Sequence, residues 1–247
     1  MTAMTSMTAM PSANPPQLRI KICGNTNYED AQCAIEAGAD MLGFIFYPPS
    51  PRAISIQAAT DVVARLRQTE AGQRTTLVGV YVNETAETML RALDHVGLDL
   101  AQLHGNESPA TLSAMSLRAF KAVRGKTWAE WRSTLGQVES NQSHTKKLAH
   151  CPDLLLDADH ETLFGGSGLQ ADKTLAAILS KDYDVLLAGG LNPENVAEIV
   201  VRVRPWGVDV ASGTETRPGK KDHAKVRAFI FAAQQAAQAI PRQGLDH

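Results

Sequence analysis

From Leu18 onward the chain alternates short apolar, β-branched runs with longer segments of helical period, a pattern that predicts repeated βα units around a parallel sheet. Eight runs are strand candidates: LRIKIC (18–23), MLGFIF (41–46), TLVGVYV (76–82), LDLAQLH (98–104), FKAVR (120–124), DLLLD (153–157), DVLLAGG (184–190) and WGVDVASG (206–213). Helix starts are expected at Asn27 with Glu29 and Asp30, at 83–85, at Ser108–Pro109 and at Asn192–Pro193, where capping side chains or an N1 proline meet acidic first-turn residues. No GxGxxG follows the first strand, so eight units are expected to close into a (β/α)8 TIM barrel rather than an open doubly wound sheet. The predicted class is α/β, one barrel domain over 18–240 between a disordered tail at 1–17 and a short C-terminal tail at 241–247. The segment from Gly125 to Pro152 is polar and long for one connection and reads as a peripheral elaboration.

Composition narrows the function classes. The 247 residues are 44% hydrophobic, enough for one barrel-sized core. Lys and Arg total 24 against 26 Asp and Glu, and a net charge of -2 supplies no field to attract nucleic acid or an anionic membrane, so neither is expected as a partner. Cys23, Cys33 and Cys151 have no metal-ligand spacing, which predicts a reduced cytoplasmic protein with no metal. The first 17 residues carry neither charge nor a continuous apolar run, which excludes a signal peptide or membrane span there.

In such barrels the chemistry sits where the strands end. Period-2 alternation on the first strand turns Ile20 and Ile22 to the helices and Lys21 and Cys23 into the barrel. A lysine there calls for a partner, and Asp209 on strand eight becomes adjacent when the barrel closes. Cys23 is then either a small buried hydrophobe or a base whose thiolate the lysine favours. Asp157 terminates strand six and is preferred over Asp159 as a proton donor. Gln102 and His104 share one face of strand four, His104 being either a substrate donor or a satisfied structural histidine. Glycine-rich turns follow strands six (FGGSG), seven and eight; the last two offer Gly189, Gly190, Ser212 and Gly213 as a backbone phosphate site.

Taken in order, KICGNTNYEDA, GADMLGFIFYPPSPRAIS, VGVYVN, LAQLHGNES, LLLDAD, GGSG, LAGGLNPENV and GVDVASGTETRPGKKD resemble the phosphoribosylanthranilate isomerase family from Lys21 to Asp222. The resemblance implies a cofactor-free Amadori rearrangement in tryptophan biosynthesis, with Cys23 as general base and Asp157 as general acid. It places Arg52, from the SPR segment, at the anthranilate end. Substrate contacts are expected from Lys21, Gln102, His104 and Asp209, and phosphate contacts from the four residues of the last two turns. The only partner expected is the small-molecule substrate, bound by a monomer or homodimer. Histidine-pathway or dual-substrate relatives share the architecture but carry aspartate at the end of strand one, where this chain has Cys23. A non-catalytic sugar-phosphate-binding barrel would not need the catalytic set.

Overall fold

The computed structural model describes residues 18–124, 128, 131, 150–157 and 168–240. Eight parallel strands close in sequence order: β1 (Arg19–Ile22), β2 (Met41–Ile45), β3 (Thr76–Tyr81), β4 (Leu100–Leu103), β5 (Ala119–Arg124), β6 (Leu154–Asp157), β7 (Val185–Ala188) and β8 (Gly207–Val210). The last strand pairs with the first, Lys21 opposite Asp209. The expected barrel is thus the observed one. The tails at 1–17 and 241–247, Asp159, the GGSG turn up to Ser167 and most of the 125–152 segment lie outside the described residues.

Alternation sorts each strand between two cores. Ile20, Ile22, Leu42, Phe44, Leu103, Leu156 and Val208 pack outward against helix residues such as Ala34, Met89, Leu93 and Phe229. Met41, Val78, Leu100, Phe120, Leu155 and Leu186 fill the barrel interior as a smaller cluster. This apolar plug means the barrel is packed, not a pore, and truncating one such leucine to alanine would cost about 2–5 kcal/mol.

The helices are α1 (Tyr28–Ala37), α2 (Ile56–Leu66), α3 (Glu70–Arg74), α4 (Ala86–Val96), α5 (Pro109–Ala114), α6 (Gly168–Leu179), α7 (Val196–Val203) and α8 (His223–Ala239). Asn27, Thr85 and Ser108 cap α1, α4 and α5 by accepting from a backbone amide in the first turn, as their sequence positions predict. Asn192–Pro193 does not start a helix. The Asn192 side chain instead accepts the amides of Glu194 and Asn195 in a turn, and α7 begins later, at Val196. After β8 a 3-10 turn (Ser212–Thr214) leads into a hairpin of β9 (Glu215–Arg217) and β10 (Lys220–Lys221), which the periodicity does not announce. Among the described residues no helix is long and apolar enough to cross a membrane.

Candidate active site

The mouth at the strand C-termini begins with Lys21, fully buried in the interior. Its ammonium donates to Asp209 Oδ1 at 3.0 Å and to Gln102 Oε1 at 2.9 Å. Burial alone would lower the Lys21 pKa, but the Asp209 carboxylate and the Cys23 sulfur beside it outweigh that and raise it, so the ammonium stays charged. Cys23 follows at the end of β1, buried, and Gly24 turns the chain with a φ of 75°. Both the sulfur and the ammonium lie over Gly43 of β2: a Cβ there would stand 2.6 Å from Cys23 Sγ and 3.2 Å from Lys21 Nζ. A glycine inside a strand marks such close approach.

The thiolate reading of Cys23 requires a correction. Burial raises the thiol pKa, Lys21 and Lys221 pull it down, Asp209 raises it again, and the net direction is upward. Lys21 spends much of its charge on Asp209, so the resting side chain is a neutral thiol rather than a pre-formed thiolate.

Across the mouth, the Gln102 amide reaches His104 Nδ1 at 2.7 Å, and His104 Nε2 lies 3.4 Å from Asp157 Oδ2. Asp157 closes β6 paired with Arg124 and Ala188, its side chain partly open to the mouth. Cys23 and Asp157 therefore stand on β1 and β6, three strands apart through β8 and β7. A hydrogen-bonded chain runs from Asp209 through Lys21 and Gln102 to His104, whose Nε2 ends it 3.4 Å from Asp157.

Arg52 arrives from the loop after β2, its stem packed on Gly24. Glu215 holds it through two oxygens, accepting from Nε at 2.9 Å and Nη2 at 2.8 Å. Lys221 donates to the same carboxylate at 3.2 Å, to Cys23 O at 2.6 Å and to Ala211 O at 3.1 Å. Burial pushes the Glu215 pKa up, yet Arg52 and Lys221 hold it below the ordinary carboxylate range. The hairpin thus clamps the ends of β1 and β8 and fixes Arg52 over the mouth.

Gly189 and Gly190 turn the chain after β7 with φ of 98° and 63°. Gly213 lies so close to the same loop that a Cβ would fall 2.0 Å from Leu191 O. Ser212 opens the 3-10 turn beside it, so the four candidate phosphate residues come from two touching turns.

Sequence reasoning missed Glu215, Lys221, Gly43 and a second buried pair, Lys121 with Glu107. Lys121 faces outward from β5, where its ammonium donates to the Leu103, Gly105 and Ala122 carbonyls and lies 3.2 Å from Glu107 Oε2. Glu107 in turn accepts the amides of Asn83 and Gly105. Together they fix the turn immediately after His104. The available signals were Gly43 inside MLGFI and a lysine on the helix-facing phase of FKAVR.

Residues 20–232 match the family model for N-(5'-phosphoribosyl)anthranilate isomerase. The chain belongs to that family. A relative of that name from Roseiflexus castenholzii is 44% identical over 222 residues, 89% of this chain and 99% of its own. The solved phosphoribosyl anthranilate isomerase of Thermotoga maritima superposes with a TM-score of 0.73 at 37% identity, covering 89% of this chain and all of that one. A further solved isomerase of the family, in complex with reduced 1-(o-carboxyphenylamino)-1-deoxyribulose 5-phosphate, has a TM-score of 0.70 and 35% identity over 89% of this chain and 100% of its own.

Proposed function

We propose that this chain performs the Amadori rearrangement of N-(5'-phosphoribosyl)anthranilate to 1-(2-carboxyphenylamino)-1-deoxyribulose 5-phosphate in tryptophan biosynthesis, using Cys23 and Asp157 as its base and acid. The observation that carries the assignment is the placement of one thiol and one carboxyl on different strands of a single barrel mouth, with Arg52 and two glycine turns around them. Ring opening and proton abstraction need one acid and one base at separate atoms of a bound sugar.

Asp157 gives its proton to the ribose ring oxygen, the C1–O bond breaks onto that oxygen, and the nitrogen lone pair forms a C=N bond. Cys23 then takes the C2 proton, leaving an enolamine that tautomerises to the ketose. Because the resting thiol is protonated, only the fraction that has lost its proton acts as base, and the adjacent C=N bond makes the C2 proton acidic enough to transfer. Arg52, with Nε and Nη2 held by Glu215, presents its remaining Nη1 edge toward the anthranilate carboxylate. Gly189, Gly190, Ser212 and Gly213 receive the phosphate through backbone N–H groups.

The small phosphorylated substrate is the partner this site takes. Every group named comes from one chain, so the site operates alike in a monomer or a homodimer. Cys23 and Cys33 are free thiols, which suits the reducing cytoplasm. In a fluorescence assay following loss of freshly made phosphoribosylanthranilate, Cys23→Ala and Asp157→Asn should each lower kcat at least about a hundredfold with the fold intact. Near-normal turnover in either variant overturns that assignment.

A further inference from the structure

We infer that Lys21, Gln102 and His104 form a positioning relay that holds His104 as its Nε2–H tautomer, with that nitrogen 3.4 Å from Asp157. The inference rests on the reading of Asp157 as the acid and adds what controls it. The sequence predicts substrate contacts from Lys21, Gln102 and His104. Lys21 and Gln102 are fully or almost fully buried, and their polar ends are engaged inside the protein.

The direction of each hydrogen bond follows from the one before it. An ammonium has donors only, so the Gln102 atom 2.9 Å from Lys21 Nζ is the carbonyl oxygen. Reversing the amide would set its NH2 against a buried charge with no water to intervene. The amide nitrogen therefore faces His104 and donates to Nδ1 at 2.7 Å. Nδ1 then carries no proton, and a neutral imidazole must bear its single N–H at Nε2. An imidazolium would confront the Gln102 NH2 with a second donor.

His104 Nε2 lies 3.4 Å from Asp157 Oδ2, longer than a tight hydrogen bond, in the part of the mouth that a substrate would close. When Asp157 passes its proton to the ring oxygen, the carboxylate left behind has the His104 Nε2–H beside it, close enough for a small side-chain adjustment to bring them into contact. His104 keeps its own proton throughout, so it is a positioning residue. Lys21 also touches the Cys23 sulfur, so one ammonium contacts the base and terminates the relay to the acid.

The tautomer is directly readable. Long-range 15N–1H correlation on the wild-type protein at neutral pH should give the Nε2–H pattern for His104; an Nδ1–H or doubly protonated ring overturns the inference. Gln102→Glu keeps an acceptor toward Lys21 but turns a second acceptor toward Nδ1. The ring should then gain an Nδ1 proton, and kcat should fall about tenfold to a hundredfold with KM within about threefold. Unchanged kcat in a folded Gln102→Glu protein, its ring protonated at Nδ1, overturns the relay's role. If that variant does not fold, the near-isosteric Gln102→Met takes its place: it should give a mixture of tautomers and a similar fall in kcat, and a retained pure Nε2–H signal overturns the idea. The spectrum needs no turnover, so loss of the Asp157 assignment by the Asp157→Asn assay would remain separate from loss of the relay.

Discussion

The two ends of this barrel use the same charged residue types under opposite physical conditions. At the end where the strands begin, Asp40 accepts the amide of Ile20 and pairs with Arg19, and Asp99 accepts the amide of Leu77 and pairs with Arg67. Asp153 likewise accepts the amide of Asp184. Each of these aspartates precedes a strand and ties down an amide near the start of a neighbouring one, and the two ion pairs keep contact with water. A cavity of about 460 Å3, bordered by Arg19, Asp40, Thr75, Thr76 and Trp206, opens at this end. At the other end Lys21, Asp209, Glu215 and Lys221 are removed from water and converge on Cys23 and Arg52. Burying ions costs more than a structural tie requires, so the charge that is expensive to hold, and not this cavity, marks the candidate site.

The contrast is broken or upheld most sharply by Lys21→Met, which keeps much of the volume and removes the charge. It leaves the Asp209 carboxylate buried without its cation, and stability measured by urea unfolding should fall by about 3–5 kcal/mol. Adding Asp209→Leu should restore much of that loss without restoring activity. A cost under about 1 kcal/mol would place this pair in the same class as the surface ones. Lys21 also opposes the burial that raises the Cys23 pKa, so in any folded Lys21→Met protein that thiol rises further. In the proposed mechanism the thiolate is the reacting form, so the rise of kcat/KM with pH should move to higher pH. An unmoved profile would show that Lys21 does not act on Cys23.

The barrel was legible because alternation and eight strand–helix repeats are local properties, and Lys21 opposite Asp209 follows from closure alone. Cys23, Asp157 and His104 were legible because strand ends are where a barrel places its chemistry. Lys221 was not: in the run KKD it reads as a solvated charge, and only the fold of a short hairpin carries it onto the Cys23 carbonyl. The direction of the Cys23 shift was hidden too, since it depends on how far Asp209 neutralises Lys21 and how completely the thiol is covered, neither of which has a periodic signature. Asn192–Pro193 misled because an asparagine that accepts backbone amides serves a turn as well as a cap.

A smaller effect should come from Gly43→Ala. The added methyl would press on Cys23 Sγ and Lys21 Nζ together, and overpacking of this kind costs about 1–3 kcal/mol. Because the displaced atoms belong to the proposed base and its neighbour, kcat should drop more than KM changes. A fully active Gly43→Ala enzyme would mean that the mouth tolerates movement of both groups.

Asp30 separates a buried anchor at the top from a buried site. Burial pushes its pKa up, but hydrogen bonds from Lys220, the Lys221 amide, Asn27 and His223 outweigh this and hold it down to about 2. A depressed folded pKa gives stability that is present above the unfolded value of about 3.9 and disappears as pH falls through the folded one. Asp30→Asn should therefore cost about 1–3 kcal/mol near neutrality, with the gap from wild type narrowing between about pH 4 and 2. A gap that stays constant over that window would assign the loss to shape rather than charge.

The smallest effect is expected from Arg19→Ala at the opposite end. The Arg19 side chain is 38% exposed, so its 3.0 Å contact with Asp40 competes with water and with the entropy of a long side chain. Removing it should cost less than about 1 kcal/mol and leave kcat unchanged, because Asp40 keeps the Ile20 amide at 2.9 Å. Asp40→Ala should cost more than Arg19→Ala, since it strands that amide in addition to the ion pair. Salt supplies an independent reading. Raising ionic strength to about 1 M shortens the screening length to about 3 Å, which should erase what little Arg19 contributes while leaving the cost of Lys21→Met nearly intact. If instead both costs fall together with salt, water reaches Lys21, and the distinction between the two ends of the barrel fails at the residue on which it depends most.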